Sequence, residues 1–113
     1  MMKKLNIVVK RPSEPAEVIE IDNSLRELQR LVEGDIEWVH TSIFQHPLGI
    51  YCNEEGYRLK LKANVWIPDL DVVVLGPIIV VQADAWGNEI SLTDMQARRA
   101  IEILNALSYT ETE

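Results

Sequence analysis

The chain of 113 residues contains a single cysteine, Cys52. One cysteine cannot form an internal disulfide, which predicts a protein of a reducing, cytoplasmic compartment. Long apolar runs are also missing. The longest, at residues 72–81, has about half the length that spans a bilayer and is interrupted by Gly76 and Pro77. The apolar run near the N-terminus is too short for a signal-peptide core. The sequence therefore predicts neither a membrane segment nor a secreted protein.

Basic residues are scarce. Eleven Lys and Arg residues stand against 18 Asp and Glu residues, and the formal net charge is −7. Binding to nucleic acid draws much of its free energy from Lys and Arg side chains that displace counterions, so this balance disfavours a nucleic-acid ligand. The acidic residues are typical of a solvated surface, and they leave open a DNA-mimicking decoy. They are dispersed along the chain, with only small groups at Glu17, Glu20 and Asp22, at Asp35 and Glu37, and at Asp69 and Asp71.

Metal ligands and phosphate-binding loops are also scarce. His40, His46 and Cys52 follow one another at spacings of six residues, which lie outside the usual zinc-ligand patterns. Acidic neighbours predict a raised pKa for the Cys52 thiol, and therefore an inert thiol rather than a nucleophile. The five glycines are isolated, and none has the context of a phosphate loop. The sequence predicts no cofactor, no metal site and no catalytic residue.

Hydrophobic residues make up 47% of the chain, which predicts a single globular domain over residues 1–113. The run VVVLGPIIVV at residues 72–81 predicts a central strand buried on both faces, with a break at Gly76 and Pro77. Residues 108–113 are expected to form a flexible tail. Short β-branched and alternating runs predict further strands at residues 4–9, 17–22 and 35–40.

Two helices are predicted by the residues at their N-termini. Ser24 and Glu27 have the spacing of a capping box and precede an apolar stripe at helical spacing. Thr93 and Gln96 repeat this arrangement near the C-terminus. Gly34 is expected to supply the left-handed residue that ends the first helix. The predicted fold is α+β, with a mixed or antiparallel sheet of about five strands and both helices packed on one face.

The segment CNEEG, residues 52–56, is the strongest candidate for a reactive pair of carboxylates. Asn53 and Gly56 favour the positive φ angles of a tight turn, and strand-like runs lie on both sides. The sequence therefore predicts a β-hairpin with Glu54 and Glu55 at its exposed tip. Hydrated acids at such a tip have no reason to acquire the perturbed pKa of an acid–base catalyst. Asn53, Glu54 and Glu55 are instead candidate binding residues.

The order of several motifs carries a family resemblance. The motifs are EVIEIDNSLRELQRLVEGDIEWV (17–39), CNEEG (52–56), KANVW (62–66), VVVLGPIIVV (72–81) and EISLTDMQ (89–96). Over residues 5–97 the chain resembles domain of unknown function family 3846, small domains carried by phages, plasmids and integrative elements. The resemblance implies an accessory protein of a mobile element in a bacterial cytoplasm and supplies no reaction. Residues 63–65 are Ala-Asn-Val where the family often has Pro-Asn-Arg, so Asn64 stays a candidate binding residue and a role of the arginine is not carried over.

These observations favour a non-catalytic binding module for a host protein or a small molecule, for example one that counters host defence. Trp86, in a predicted turn, is expected to be exposed and to contact a partner. Two alternatives stay open: an acidic decoy of a nucleic-acid-binding protein and a small enzyme with surface carboxylates. Unpaired sheet edges and three tryptophans favour a symmetric homodimer over a monomer. The carboxylates of the enzyme hypothesis are Glu54, Glu55, Asp69 and Asp71.

Overall fold

The computed structural model describes residues 3–110. Within this range the chain forms eight strands and two helices. No helix among these residues is long and apolar enough to cross a membrane. The elements, in chain order, are β1 (Lys4–Lys10), β2 (Glu17–Asp22), α1 (Leu25–Val32), β3 (Ile36–Val39), β4 (Leu48–Asn53), β5 (Ala63–Ile67), β6 (Val72–Leu75), β7 (Ile78–Ala83), β8 (Glu89–Ile90) and α2 (Asp94–Ala106).

Six of the strands form one antiparallel sheet. Its order is β2-β1-β7-β4-β3, and the short strand β8 also pairs with β7. Strands β5 and β6 form a separate antiparallel pair. The predicted α+β class is confirmed, and the first two strands pair antiparallel. Of the run predicted to be central and buried on both faces, the part after Gly76 and Pro77 is so placed and forms β7, which pairs with β1 and β4. Residues 72–75 form β6 in the small sheet, so the prediction is wrong for this part.

Each face of β7 is covered by a different helix. Ile78 and Val80 pack with α2 and with the β5–β6 sheet, whereas Ile79 and Val81 pack with α1. The prediction that both helices pack on one face is therefore wrong. The physical reason lies in β7 itself, because a central strand that is apolar on both faces leaves an apolar surface on each side of the sheet. Each of these surfaces must be covered by another layer.

Both helices begin at the residues that the sequence predicts. The Oγ atom of Ser24 accepts a hydrogen bond from the Glu27 N–H group at 3.2 Å. Thr93 and Gln96 form a reciprocal capping box, in which each side chain bonds to the backbone N–H of the other residue. These contacts satisfy backbone donors that have no partner within the first turn of a helix.

The end of α1 differs from the prediction. Glu33, with φ of 67°, takes the left-handed conformation, so the assignment of this role to Gly34 is wrong. Gly34 meets a different requirement. A Cβ atom at this position would lie 2.7 Å from the Nδ2 atom of Asn53, so the missing side chain makes room for Asn53 at the end of β4.

The predicted hairpin across residues 53–56 is wrong, although a turn does follow β4. Strand β4 pairs with β3 on one side and with β7 on the other, so it has no open edge for the strand that comes next. Residues 54–60 form turns, and β5 then pairs with β6 in the second sheet. The chain returns to the large sheet after the predicted break at Gly76 and Pro77, which separates β6 from β7.

The segment after α2 pairs with β5. Ser108 forms a β-bridge with Val65, the Tyr109 N–H donates to the Asn64 carbonyl at 2.8 Å, and the Trp66 N–H donates to the Leu107 carbonyl at 2.9 Å. Residues 111–113 of the predicted tail lie outside the described residues. This pairing covers the outer edge of β5 and leaves β6 at the other edge of the small sheet.

Candidate functional site

The turn after β4 contains three of the predicted binding residues. Asn53 is 5% exposed; its Nδ2 donates to the Val32 carbonyl at 3.0 Å, and its Oδ1 accepts from the Glu55 N–H at 2.7 Å. The Glu55 carboxylate pairs with Arg58. Glu54 is exposed. Asn53 therefore shapes the turn, and Asn53 and Glu54 line the same cavity.

Asn64, the fourth predicted binding residue, is completely buried. Its Oδ1 accepts a hydrogen bond from the Lys10 ammonium at 2.8 Å, and its Nδ2 donates to the carbonyls of Lys10 and Gly76 at 2.8 Å each. Lys10 is itself 1% exposed, and burial lowers the pKa of its ammonium group. The pair is a structural contact between β1 and β5. Sequence analysis missed Lys10, because a lysine at the end of a strand is usually solvated.

Trp86, the fifth predicted residue, lies in the turn between β7 and β8. It is 85% exposed, as predicted, and its backbone N–H donates to the Asp84 carboxylate at 2.9 Å. It does not line the cavity beside Glu54. The structure therefore does not bring the five predicted binding residues into one site.

A groove of about 400 Å³ lies between β3 and β6 and is the best candidate for a binding site. Residues 37–40 form one wall and residues 72–75 the other, and the turn after β4 contributes residues 54, 56 and 57. Cys52 and Val74, both 8% exposed, supply apolar surface. The volume falls in the range of small-molecule and cofactor sites. We call this cavity the β3–β6 groove.

The wall formed by β3 is an open strand edge. Among residues 3–110, β4 is the only strand that pairs with β3. The Glu54 N–H donates to the Asp35 carbonyl at 2.9 Å, so these two residues form a hydrogen-bonded pair. Hydrogen-bonded and non-hydrogen-bonded pairs then alternate along β3 and β4. The backbone N–H and carbonyl of Glu37 therefore bond to β4, whereas the backbone N–H and carbonyl groups of Ile36 and Trp38 point away from β4, towards the open edge.

The wall formed by β6 is the open edge of the small sheet. The Trp66 N–H is directed to Leu107 on the far side of β5, so its register partner Val73 has backbone groups that point away from β5. The Val73 carbonyl accepts a hydrogen bond from the Tyr57 hydroxyl at 2.9 Å. Within the described part of the chain, the groove is thus lined by two strands that each have one edge without a neighbouring strand.

The charge in the groove is acidic. Glu37 and Glu54 line it together with His40, and no Lys or Arg is among its lining residues. Burial, and then the charge of Glu37, raise the pKa of the Cys52 thiol to about 11, which confirms the raised pKa expected from the sequence. Within residues 3–110, no group of three or more His, Cys, Asp or Glu residues is arranged to hold a metal ion.

We expect Cys52 to react slowly with iodoacetamide in the folded protein. At neutral pH a thiol with a pKa of about 11 is thiolate in a very small fraction, so alkylation should be roughly 30- to 100-fold slower than in the chain unfolded by denaturant. Mass spectrometry of the labelled protein over time measures both rates. The Glu37→Gln variant should react faster than the wild type, because it removes the nearby negative charge. Equal alkylation rates in the folded and unfolded states would show that the Cys52 thiol is accessible and that its pKa is not raised.

The carboxylates that an enzyme would use have structural partners. Asp69 accepts hydrogen bonds from the Thr41 hydroxyl at 2.7 Å and from the Ser42 N–H at 2.9 Å, and the Thr41 contact is the main cause that lowers the pKa of Asp69. Asp71 accepts from the indole N–H of Trp66 at 3.1 Å. Together with the Glu55–Arg58 pair, these contacts engage every carboxylate of the enzyme hypothesis except that of Glu54.

The acidic groups that a decoy would use lie at opposite edges of the large sheet. Glu20 and Asp22 belong to β2, whereas Glu37 belongs to β3. Four strand spacings separate these edges, or about 19 Å. Asp22 also forms an ion pair with Lys4 at 2.6 Å. The structure does not combine these acids into one compact patch.

The fold and the groove define the class of the protein: a small α+β domain in which an antiparallel sheet is covered by a helix on one face and by a helix with a two-stranded sheet on the other. Residues 2–105 match the family model of a domain of unknown function, DUF3846. The chain therefore belongs to this family, as the order of its motifs predicts. No curated protein and no solved structure matches the chain.

Proposed function

We propose that the protein is a non-catalytic binding module and that its ligand occupies the β3–β6 groove. The observation that carries this proposal is the lining of the groove, where apolar side chains adjoin two carboxylates, Glu37 and Glu54, without a Lys or Arg residue. An apolar cavity with a few polar groups is typical of a ligand site. The buried Cys52 thiol, whose pKa is raised to about 11, fits an apolar contact surface rather than a nucleophile.

The proposed context is a bacterial cytoplasm in which the protein serves a phage or another mobile genetic element. The support is the resemblance of its motifs to chains that such elements carry. A binding module in this context acts by occupying a host protein or by sequestering a small molecule, for example to counter host defence. Expression in a bacterial host that restricts phage growth tests this context, because a counter-defence module raises the plating efficiency of the phage.

The groove itself is tested by native mass spectrometry of protein purified gently from bacterial cells. We expect extra mass in the native spectrum that disappears on denaturation. Val72→Lys places a long charged side chain in the groove and should abolish the extra mass. Val18→Lys is the matched control, because Val18 is also a β-branched strand residue of similar exposure, 48% against 41% for Val72, and lies on β2, at the edge of the large sheet opposite to β3.

Retention of the extra mass by Val72→Lys would place the ligand elsewhere on the molecule. A wild-type spectrum without extra mass, followed by no binding of peptides or metabolites in titrations, would contradict the proposed function. Circular dichroism of both variants shows whether they keep the fold, so that a loss of binding is not mistaken for unfolding.

A further inference from the structure

We propose that the ligand of the groove is an extended peptide segment that adds to β3 as a new edge strand and carries a Lys or Arg residue opposite Glu37. This inference rests on the proposed function of the groove and specifies its ligand. The segment would hydrogen-bond to the open edge of β3 and direct alternate side chains into the groove. The ligand class is thus a β-forming segment of a partner protein with alternating basic and apolar residues.

The backbone geometry fits the addition of a strand. Glu37 bonds to β4, and Ile36 and Trp38 present their N–H and carbonyl groups at the edge of the sheet. An added strand would use these groups, as in the known modes of peptide recognition by sheet edges. Residues opposite Glu37 would form a non-hydrogen-bonded pair with it, which is the arrangement that brings opposing side chains closest.

The side chains define which residues the segment carries. Glu37 is the register partner of Cys52, and Val39 is the partner of Ile50; Cys52, Ile50 and Val39 all pack in the core on the α2 side of the sheet. Side chains of an added strand that point to this side would therefore enter the groove. One of them would lie beside the Glu37 carboxylate and the next, two positions away, beside Val39. A basic residue and an apolar residue at this spacing match both neighbours.

A second copy of the chain fits the edge less well. Pairing of β3 with β3 of another copy would bring two Glu37 side chains onto the same face of the joined sheet, where like charges are destabilising. Glu54 adds a further carboxylate to the same groove. An inward-facing charge on a short edge strand is a known device against self-pairing. The same charge attracts a basic partner, so charge complementarity selects a foreign segment over a dimer.

A peptide titration tests the inference. The probe is a fluorescently labelled peptide of about seven residues, in which lysine and valine stand two positions apart among threonines. We expect it to bind about fivefold to tenfold more tightly than the same peptide with glutamate in place of lysine. Glu37→Lys should reverse this preference. Glu20→Lys, on the opposite edge strand, is the matched control and should leave the preference unchanged.

The mode of binding is tested separately. N-methylation of the two peptide residues that flank the lysine removes the backbone donors that face Ile36 and Trp38, and we expect it to abolish binding. Amide hydrogen exchange should show new protection at Ile36 and Trp38 when the unmodified peptide is present. Circular dichroism confirms that each variant is folded.

Three results would overturn the inference. They are an unchanged affinity after N-methylation, the same peptide preference in wild type and Glu37→Lys, or protection of Ile36 and Trp38 that depends on protein concentration without peptide. The last would identify β3 as a dimer interface. If none of the peptides binds but Val72→Lys still abolishes the extra mass in the native spectrum, the groove binds another ligand class and the proposed function stands. If no peptide binds and the native spectrum shows no extra mass that depends on Val72, the proposed function fails together with the inference.

Discussion

Asn64→Leu should lower the free energy of unfolding by about 3 to 5 kcal/mol, because the buried Lys10 ammonium loses its acceptor at 2.8 Å and keeps only the Arg11 carbonyl at 3.5 Å. Asn64 is completely buried, Lys10 is 1% exposed, and no carboxylate of the described residues pairs with Lys10 in an ion pair. The substitution also removes the donor to the carbonyls of Lys10 and Gly76. Chemical denaturation of the variant and the wild type measures the loss.

Lys10→Met is the control that assigns the effect to the buried charge. Alone it should lower stability by about 1 to 3 kcal/mol, because the buried Asn64 Oδ1 then lacks its donor, and this loss should be smaller than that of Asn64→Leu because no charge is left buried. Combined with Asn64→Leu, it should recover much of the loss, and the double-mutant cycle measures the coupling. A loss below about 1 kcal/mol for Asn64→Leu alone would show that water already reaches the Lys10 ammonium.

The sign of the pH dependence follows from the lowered pKa of Lys10. Between the folded-state pKa and the ordinary value of 10.5, the unfolded chain binds more protons at this residue than the folded protein. The contribution of Lys10 to stability therefore rises with pH across this window. The Lys10→Met variant lacks this rise, so its stability relative to the wild type should be greatest near neutral pH and should decrease towards pH 10.5.

Much of the fold could be predicted because its signals are local. The N-caps at Ser24 and Thr93 depend on residues three positions apart, and the alternation in β2 depends on neighbours within one strand. The break at Gly76 and Pro77 likewise follows from the backbone properties of two adjacent residues. The structure bears out each of these predictions.

The wrong predictions concern contacts between distant residues. The turn at residues 53–56 was correctly located, but whether it joins a hairpin depends on the strand that occupies the other edge of β4, and that strand is β7, about 30 residues later. The placement of α1 and α2 on opposite faces also follows from the sheet order. Asn64 illustrates the same limit for the site: its partner Lys10 lies 54 residues away, and nothing in its local sequence indicates burial.

The β3–β6 groove could not be predicted for the same reason. Its walls come from two separate sheets, and the small sheet is held by contacts of β5 with Lys10 of β1 and with the segment after α2. The sequence assigns the acidic residue Glu37 to a solvated surface. In the structure Glu37 lines the groove. The acidic residue is therefore visible in the sequence, but its place in a binding site depends on where the second sheet lies.

Gly49→Ala should have the second-largest effect and lower the free energy of unfolding by about 2 to 3 kcal/mol, because it overfills a well-packed contact. Gly49 lies in β4, and a Cβ atom there would overlap Cζ2 and Cη2 of Trp38. The Trp38 ring also meets Tyr51 edge to face, with ring centroids 5.0 Å apart. The new methyl group would therefore push Trp38 out of a position fixed by two neighbours on β4.

The origin of this loss can be tested by making room for the added methyl group. In the Trp38→Leu background, Gly49→Ala should cost less than about 1 kcal/mol, since the overlapping ring atoms are gone. The Tyr51→Ala background is the matched control, because it removes the other ring of the aromatic pair but leaves the overlap with Trp38 in place. A similar cost of Gly49→Ala in the wild-type and Trp38→Leu backgrounds would assign the loss to the β4 backbone rather than to Trp38. Since Trp38 presents its backbone at the open edge of β3, displacement of its ring should also weaken peptide binding at that edge.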